Sequence, residues 1–160
     1  MSKEQNRAQF IRAFISKQDF EEAKKYLLSY KSELDDVIKR ALLVAAVVSY
    51  SKPFTTNNGG NYRQSTPTLK VNANTILNKN KEITFHKKIL DLRKKAVAHS
   101  DFGKRPTNLI QASENGYLVG YKKFDLLSEI LNYDIELFLS ITAKMIKYCD
   151  DTMSRLKHQV

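Results

Sequence analysis

The chain has 160 residues, and its 27 Lys and Arg outnumber 17 Asp and Glu to give a formal charge of +10. That length suits one domain, expected over 1–160, and 42% hydrophobic residues are enough for a core, which excludes wholesale disorder. Five Gly and three Pro exclude collagen-like and low-complexity chains, and one cysteine, Cys149, excludes a disulfide framework or a multi-thiolate metal site.

From Glu4 to Tyr30 apolar residues recur at helical steps, through Phe10, Phe14, Phe20, Ala23 and Leu27, provided the register breaks near Lys17. Asp19 followed by Glu22 has the spacing of a capping box at that break. A second helix, roughly Ser32–Tyr50, sets Leu34, Val37, Ile38, Ala41, Ala45 and Val48 on one stripe. Its second half, ALLVAAVV, is apolar on all sides, the pattern of a helix buried by several neighbours. Lys52–Pro53 ends it, and the polar stretch TTNNGGNYRQSTPT that follows reads as a flexible loop, about 52–70 at its widest.

A third helix is expected over about Asn72–Phe102, with an irregular start and a firm pattern from Lys81. Phe85, Ile89, Leu92, Ala96 and His99 form its seam, and Gly103 and Pro106 stop it. Asn115-Gly116 between two β-prone runs predicts a hairpin over about 107–124, because a type I′ turn needs two residues that tolerate positive φ. A long last helix, Asp125–Lys157, carries Leu131, Ile135, Phe138, Thr142, Met145, Cys149, Thr152 and Leu156 at alternating steps of four and three. The fold class is therefore all-α: a bundle of four to five helices with a small hairpin inserted before the last one. Its longest apolar run, Ala41 to Val48, falls short of the roughly 20 residues that cross a membrane. The opening MSKEQNRAQF lacks the apolar core of a secretory signal, so a cytoplasmic protein is expected.

The charge is not spread evenly. Residues 61–105 hold eleven bases and three acids, so +8 of the +10 falls in 45 residues. Such a segment draws phosphate backbones and acidic partners, although a Lys-rich surface also serves solubility alone.

Within it lies LRKKAVAHSD, residues 92–101, the one stretch with a plausible reaction chemistry. Arg93 and His99 are six residues apart, about 240° around an ideal helix, and converge only if the helix ends or bends near Ala98 or a second subunit faces the same seam. A helix C-terminus favours the imidazolium form of His99, and Ser100 and Asp101 are placed to orient it. An imidazole that moves protons and a guanidinium that neutralises a pentacovalent phosphate suffice to cut RNA without a metal, because RNA brings its own 2′-hydroxyl nucleophile. A lone histidine on an apolar helix face also serves packing alone. Lys87, Lys88, Lys94, Lys95, Lys104 and Arg105 flank the pair and suit phosphates beside a scissile bond, or are a solvated face. Asp91 has the order and spacing for an ion pair with Lys95.

On these residues the chain resembles the HEPN superfamily (higher eukaryotes and prokaryotes nucleotide-binding), whose hallmark is Arg, four to six residues, then His. Arg93-x5-His99 matches it, and the Ala98-His99-Ser100-Asp101 ending resembles the abortive-infection and toxin branch. The resemblance implies an all-α fold and a metal-independent, cofactor-free endoribonuclease acting as a homodimer on RNA, in toxin–antitoxin pairs or phage defence. His99 would be the general acid/base and Arg93 the phosphate-stabilising cation. Lys94 departs from the Asn or Asp that often follows the arginine, and the alternative is a non-catalytic module of the same kind that binds RNA, a nucleotide or a protein partner such as an antitoxin. A helical interaction protein with a chance match is the third possibility. His86, seven residues before Arg93, either lines that cleft or faces solvent. Cys149 is expected as a small buried hydrophobe, the acidic pairs Glu21-Glu22, Asp35-Asp36 and Asp150-Asp151 as solvated helix faces, and no Cys/His cluster has zinc spacing.

Overall fold

A computed structural model describes residues 2–55, 73–94, 107–113, 116–121 and 134–159. The described part is mostly helical. Helix α1 runs unbroken from Lys3 to Ser29. Its start is capped by Ser2, which accepts from the Gln5 amide, while the Gln5 side chain accepts from the Ser2 amide. Helix α2, Asp36–Ser51, is capped by Asp35, whose carboxylate accepts from the Val37 amide at 2.7 Å. A 3₁₀ turn, Lys52–Phe54, closes it, with Pro53 lacking the amide that a longer helix would need.

The short α3, Ala73–Ile76, is separated from α4, Asn80–Leu92, by Leu77-Asn78-Lys79, so the expected third helix starts as two pieces. The last helix described, α5, covers Ile135–Leu156 and is capped by Asp134. Strands β1, Thr107–Ser113, and β2, Gly116–Tyr121, pair antiparallel, Leu109 opposite Val119, with an irregularity between Gln111 and Ser113. Asn115 of the expected Asn115-Gly116 turn, most of the stretch expected as a loop, the expected end of the third helix at 95–102 and the expected start of the last helix at 125–133 lie outside the described residues.

Four helices form a ring of contacts: α1 against α2, α2 against α4, α4 against α5, and α5 against α1. Each contributes large side chains to one core, among them Phe20, Leu43, Tyr50, Phe85, Ile89, Phe138 and Met145. Phe138 meets both Tyr50 and Phe85 edge-on, at centroid separations of 5.4 and 5.6 Å. The expected seams of α4 (Phe85, Ile89, Leu92) and α5 (Phe138, Thr142, Met145, Cys149, Thr152, Leu156) are buried. The Thr142 hydroxyl is satisfied within its own helix, donating to the Phe138 carbonyl at 2.7 Å. No described helix is long and apolar enough to cross a membrane.

Two expectations about the first helices are overturned. The register of α1 does not break at Lys17, and Asp19 and Glu22 cap nothing. The buried seam runs continuously through Asn6, Ala13, Ser16, Phe20, Ala23 and Leu27, with Arg12 beside it. In the first half that seam is polar or small, so the larger Phe10 and Phe14 suggest a different phase. Phe14 is 49% exposed. Likewise, α2 buries Leu43, Ala46, Val47 and Tyr50 rather than the stripe through Val37 and Ala41, and Val37 is 74% exposed. An apolar run on all sides does not identify its inward face; Tyr50 and Leu43 do, because they reach the aromatic centre.

Candidate functional site

Helix α4 positions the basic residues. Lys87 and, just past its end, Lys94 are exposed on the side opposite Phe85, Ile89 and Leu92, which hold the helix in the core, while Lys81 is exposed at its first turn. Lys87 and Lys94, seven residues apart, share one line about 10 Å long. Lys88 and Asp91 are half-buried and engaged. At Arg93–Lys94 the backbone passes into a π-type turn, a departure often found at functional positions. The Arg93 amide is shared between the Ile89 and Leu90 carbonyls, and its side chain is half-buried. Lys95, His99, Ser100, Asp101, Lys104 and Arg105 lie outside the described residues, so no distance from Arg93 to His99 enters the geometry.

His86 corrects both readings of it. It neither faces solvent nor lines an open cleft: it is 6% exposed. Its Nδ1 lies 2.9 Å from the Tyr50 hydroxyl, and its ring stands edge-on to Phe54 at 4.8 Å. Burial, reinforced by the charge of Lys87, pushes its pKa down to about 4, and burial alone drives the Tyr50 phenol well above its ordinary value. Both rings are neutral at physiological pH and share one hydrogen bond. This is a structural pair, unavailable for proton transfer to a ligand.

The acidic helix faces are more engaged than expected. Glu22 accepts from Ser49 Oγ at 2.8 Å, from Lys52 Nζ at 3.2 Å and from Tyr26 Oη at 3.2 Å, which together hold its carboxyl below the ordinary value. Asp19 reaches the same Lys52 Nζ at 3.4 Å, and burial raises its pKa against the pull of that lysine. Asp150 pairs with Lys17 at 2.8 Å, tying α5 to α1. Asp35, Asp36 and Asp151 are exposed.

Sequence reasoning missed Arg12. It is 6% exposed, and its Nη2 donates to the Pro53 carbonyl at 2.8 Å and the Lys52 carbonyl at 3.3 Å. Burial lowers its pKa while Asp19 opposes the shift. Its Nε, together with Ser16 Oγ and Ser51 Oγ, is buried without a hydrogen-bond partner. The signal available was an arginine at a position where an unbroken α1 points inward, which the assumed break at Lys17 concealed. A second missed feature is an open groove of about 640 Å³ between α1 and α2, where Val37, Ala41, Val44 and Val48 supply apolar walls and Glu22, Arg40 and Lys52 polar ones. It holds none of the chemistry expected near Arg93.

Cys149 is buried, and burial pushes its thiol up to about 12, which removes it as a nucleophile. Among the described residues no group of three or more His, Cys, Asp or Glu is arranged to hold a metal. Comparison with known proteins adds no relative: no family model, no curated protein and no solved structure matches this chain.

Proposed function

We propose that the chain is a HEPN-like, metal-independent endoribonuclease that works as a homodimer, in a toxin or phage-defence setting. The observation that carries this reading is the solvent-facing pair Lys87 and Lys94 on one line of the helix, with Arg93 beside its end where the backbone changes to a π-type turn. A phosphate chain laid along that line meets two point charges, with a guanidinium to one side of its end. The sequence continues from there to His99.

The reaction assigned to this pair is internal transesterification. The 2′-oxygen attacks the adjacent phosphorus as its proton passes to an imidazole. The bond from phosphorus to the 5′-oxygen breaks, and that oxygen takes a proton from an imidazolium. Products are a 2′,3′-cyclic phosphate and a 5′-hydroxyl. Arg93 neutralises the charge that builds on the non-bridging oxygens, with Lys87, Lys88, Lys94, Lys95, Lys104 and Arg105 holding the flanking phosphates and Ser100 and Asp101 orienting His99.

Incubation of purified protein with mixed cellular RNA in EDTA tests this, with Arg93→Ala and His99→Ala beside wild type. Cleavage by wild type alone supports the enzyme. Salt-sensitive RNA binding without cleavage points instead to a binding module of the same architecture, and neither activity rejects both.

A further inference from the structure

Helix α1 is apolar on two opposite sides. Its inner seam is occupied by α2 and α5, yet its outer side carries Ile11 at 45% and Phe14 at 49% exposure, with Ile15 and half-buried Phe10 beside them. Isolated exposed apolar residues are ordinary on a protein surface; three large ones within five positions on one side of a helix, with a half-buried fourth beside them, are not.

The charges around this patch indicate what covers it. Arg7, Phe14 and Glu21 are spaced by seven, as are Glu4, Ile11, Gln18 and Lys25, so they form two adjacent lines along the outer side. Each line has opposite charges at its two ends and an apolar residue near its middle. A second α1 laid antiparallel, with Phe14 at the two-fold axis, sets Arg7 against Glu21 and Glu4 close to Lys25. Laid parallel, each charge meets its own like. The contact Glu21 makes within its own helix, to Lys17 at 3.7 Å, is long and leaves the carboxylate 46% exposed for another partner.

We infer that a second copy of this chain docks antiparallel along the outer face of α1, Phe14 packing on Phe14 of the partner about a two-fold axis. The inference goes beyond the ribonuclease reading and stands whether or not Arg93 acts on RNA. An isologous contact of this kind is self-complementary by construction, and its four terminal ion pairs fix the direction of the helices.

Sedimentation velocity from low to high micromolar concentration tests it on the full chain. Wild type is expected to self-associate, and Phe14→Asp to weaken association at least about tenfold, since a buried charge at the centre of an interface is costly. Circular dichroism should show both folded alike, because the side chain is half-exposed. Arg7→Glu and Glu21→Arg should each weaken association, and the double swap should restore it. A wild type that stays monomeric, a Phe14→Asp variant that associates like wild type, or a double swap weaker than either single overturns the inference.

Discussion

The Tyr50 hydroxyl and His86 Nδ1 lie 2.9 Å apart inside the core, joining α2 to α4 through a hydrogen bond with no solvent access. Because the folded chain holds this histidine near a pKa of about 4 whereas an unfolded histidine titrates near 6.5, the unfolded state binds the extra proton first as pH falls. The stabilising difference is whole above about pH 6.5 and is lost progressively towards pH 4. Urea unfolding is expected to show about 2 kcal/mol less stability at pH 5 than at pH 7, most of it absent in His86→Gln. Parallel pH dependence in the two proteins would contradict the assignment.

Arg12 anchors the turn that ends α2. Its guanidinium carries both the Lys52 and the Pro53 carbonyl, and Arg12→Ala strands those acceptors in a buried place. The expected loss is about 2–4 kcal/mol, and Arg12→Lys should recover little, because a compact, strongly hydrated ammonium costs more to bury than the guanidinium whose Nη2 serves both carbonyls. Thermal unfolding of the three proteins measures both effects; a lysine variant as stable as wild type would show that only the charge matters.

Glu82 is 3% exposed, and both its oxygens receive Lys144 Nζ at 2.8 Å, a link between α4 and α5. Lys144→Ala leaves a buried carboxylate uncompensated and should cost roughly 3 kcal/mol. Glu82→Leu combined with Lys144→Met should lie close to wild type, since an apolar pair of similar volume removes the desolvation cost with the charges. Equal losses in the single and double variants would show that the ion pair contributes through its geometry rather than its charge.

Cys149 lies against the core from α5, and a thiol raised to about 12 is almost wholly protonated at neutral pH. Its reaction with iodoacetamide should follow global unfolding, accelerating with urea as the far-ultraviolet signal is lost. Rapid labelling of the native protein would place the thiol at the surface.

What the sequence made legible depended on how sharply residue type marks the inward face. In α4 and α5 the large apolar residues sit on one seam with charges opposite, and Phe85, Ile89, Phe138 and Met145 were readable as core. In α1 the inward positions are Asn6, Arg12 and Ser16 while Phe14 points outward, so apolar periodicity indicated a break where the backbone has none. In α2 the run ALLVAAVV offers several equivalent faces, and tertiary contact through Tyr50 selects one. The burial of His86 was illegible for a related reason: its partner Tyr50 is 36 residues away and nothing local announces the pairing. The Arg93-x5-His99 spacing was readable as a candidate site, but only the placement of Lys87 and Lys88 on α4, and of Arg93 and Lys94 just past its end, falls within the described residues.

The most direct measurement of the proposed activity is end-group analysis on one defined oligonucleotide and its 2′-O-methyl counterpart, both incubated with protein in EDTA and resolved by mass spectrometry. The transesterification mechanism predicts 2′,3′-cyclic phosphate ends from the unmodified strand, none from the methylated strand, and none from either with His99→Ala. Equal cleavage of the two strands, or cleavage by His99→Ala at the wild-type rate, would contradict it.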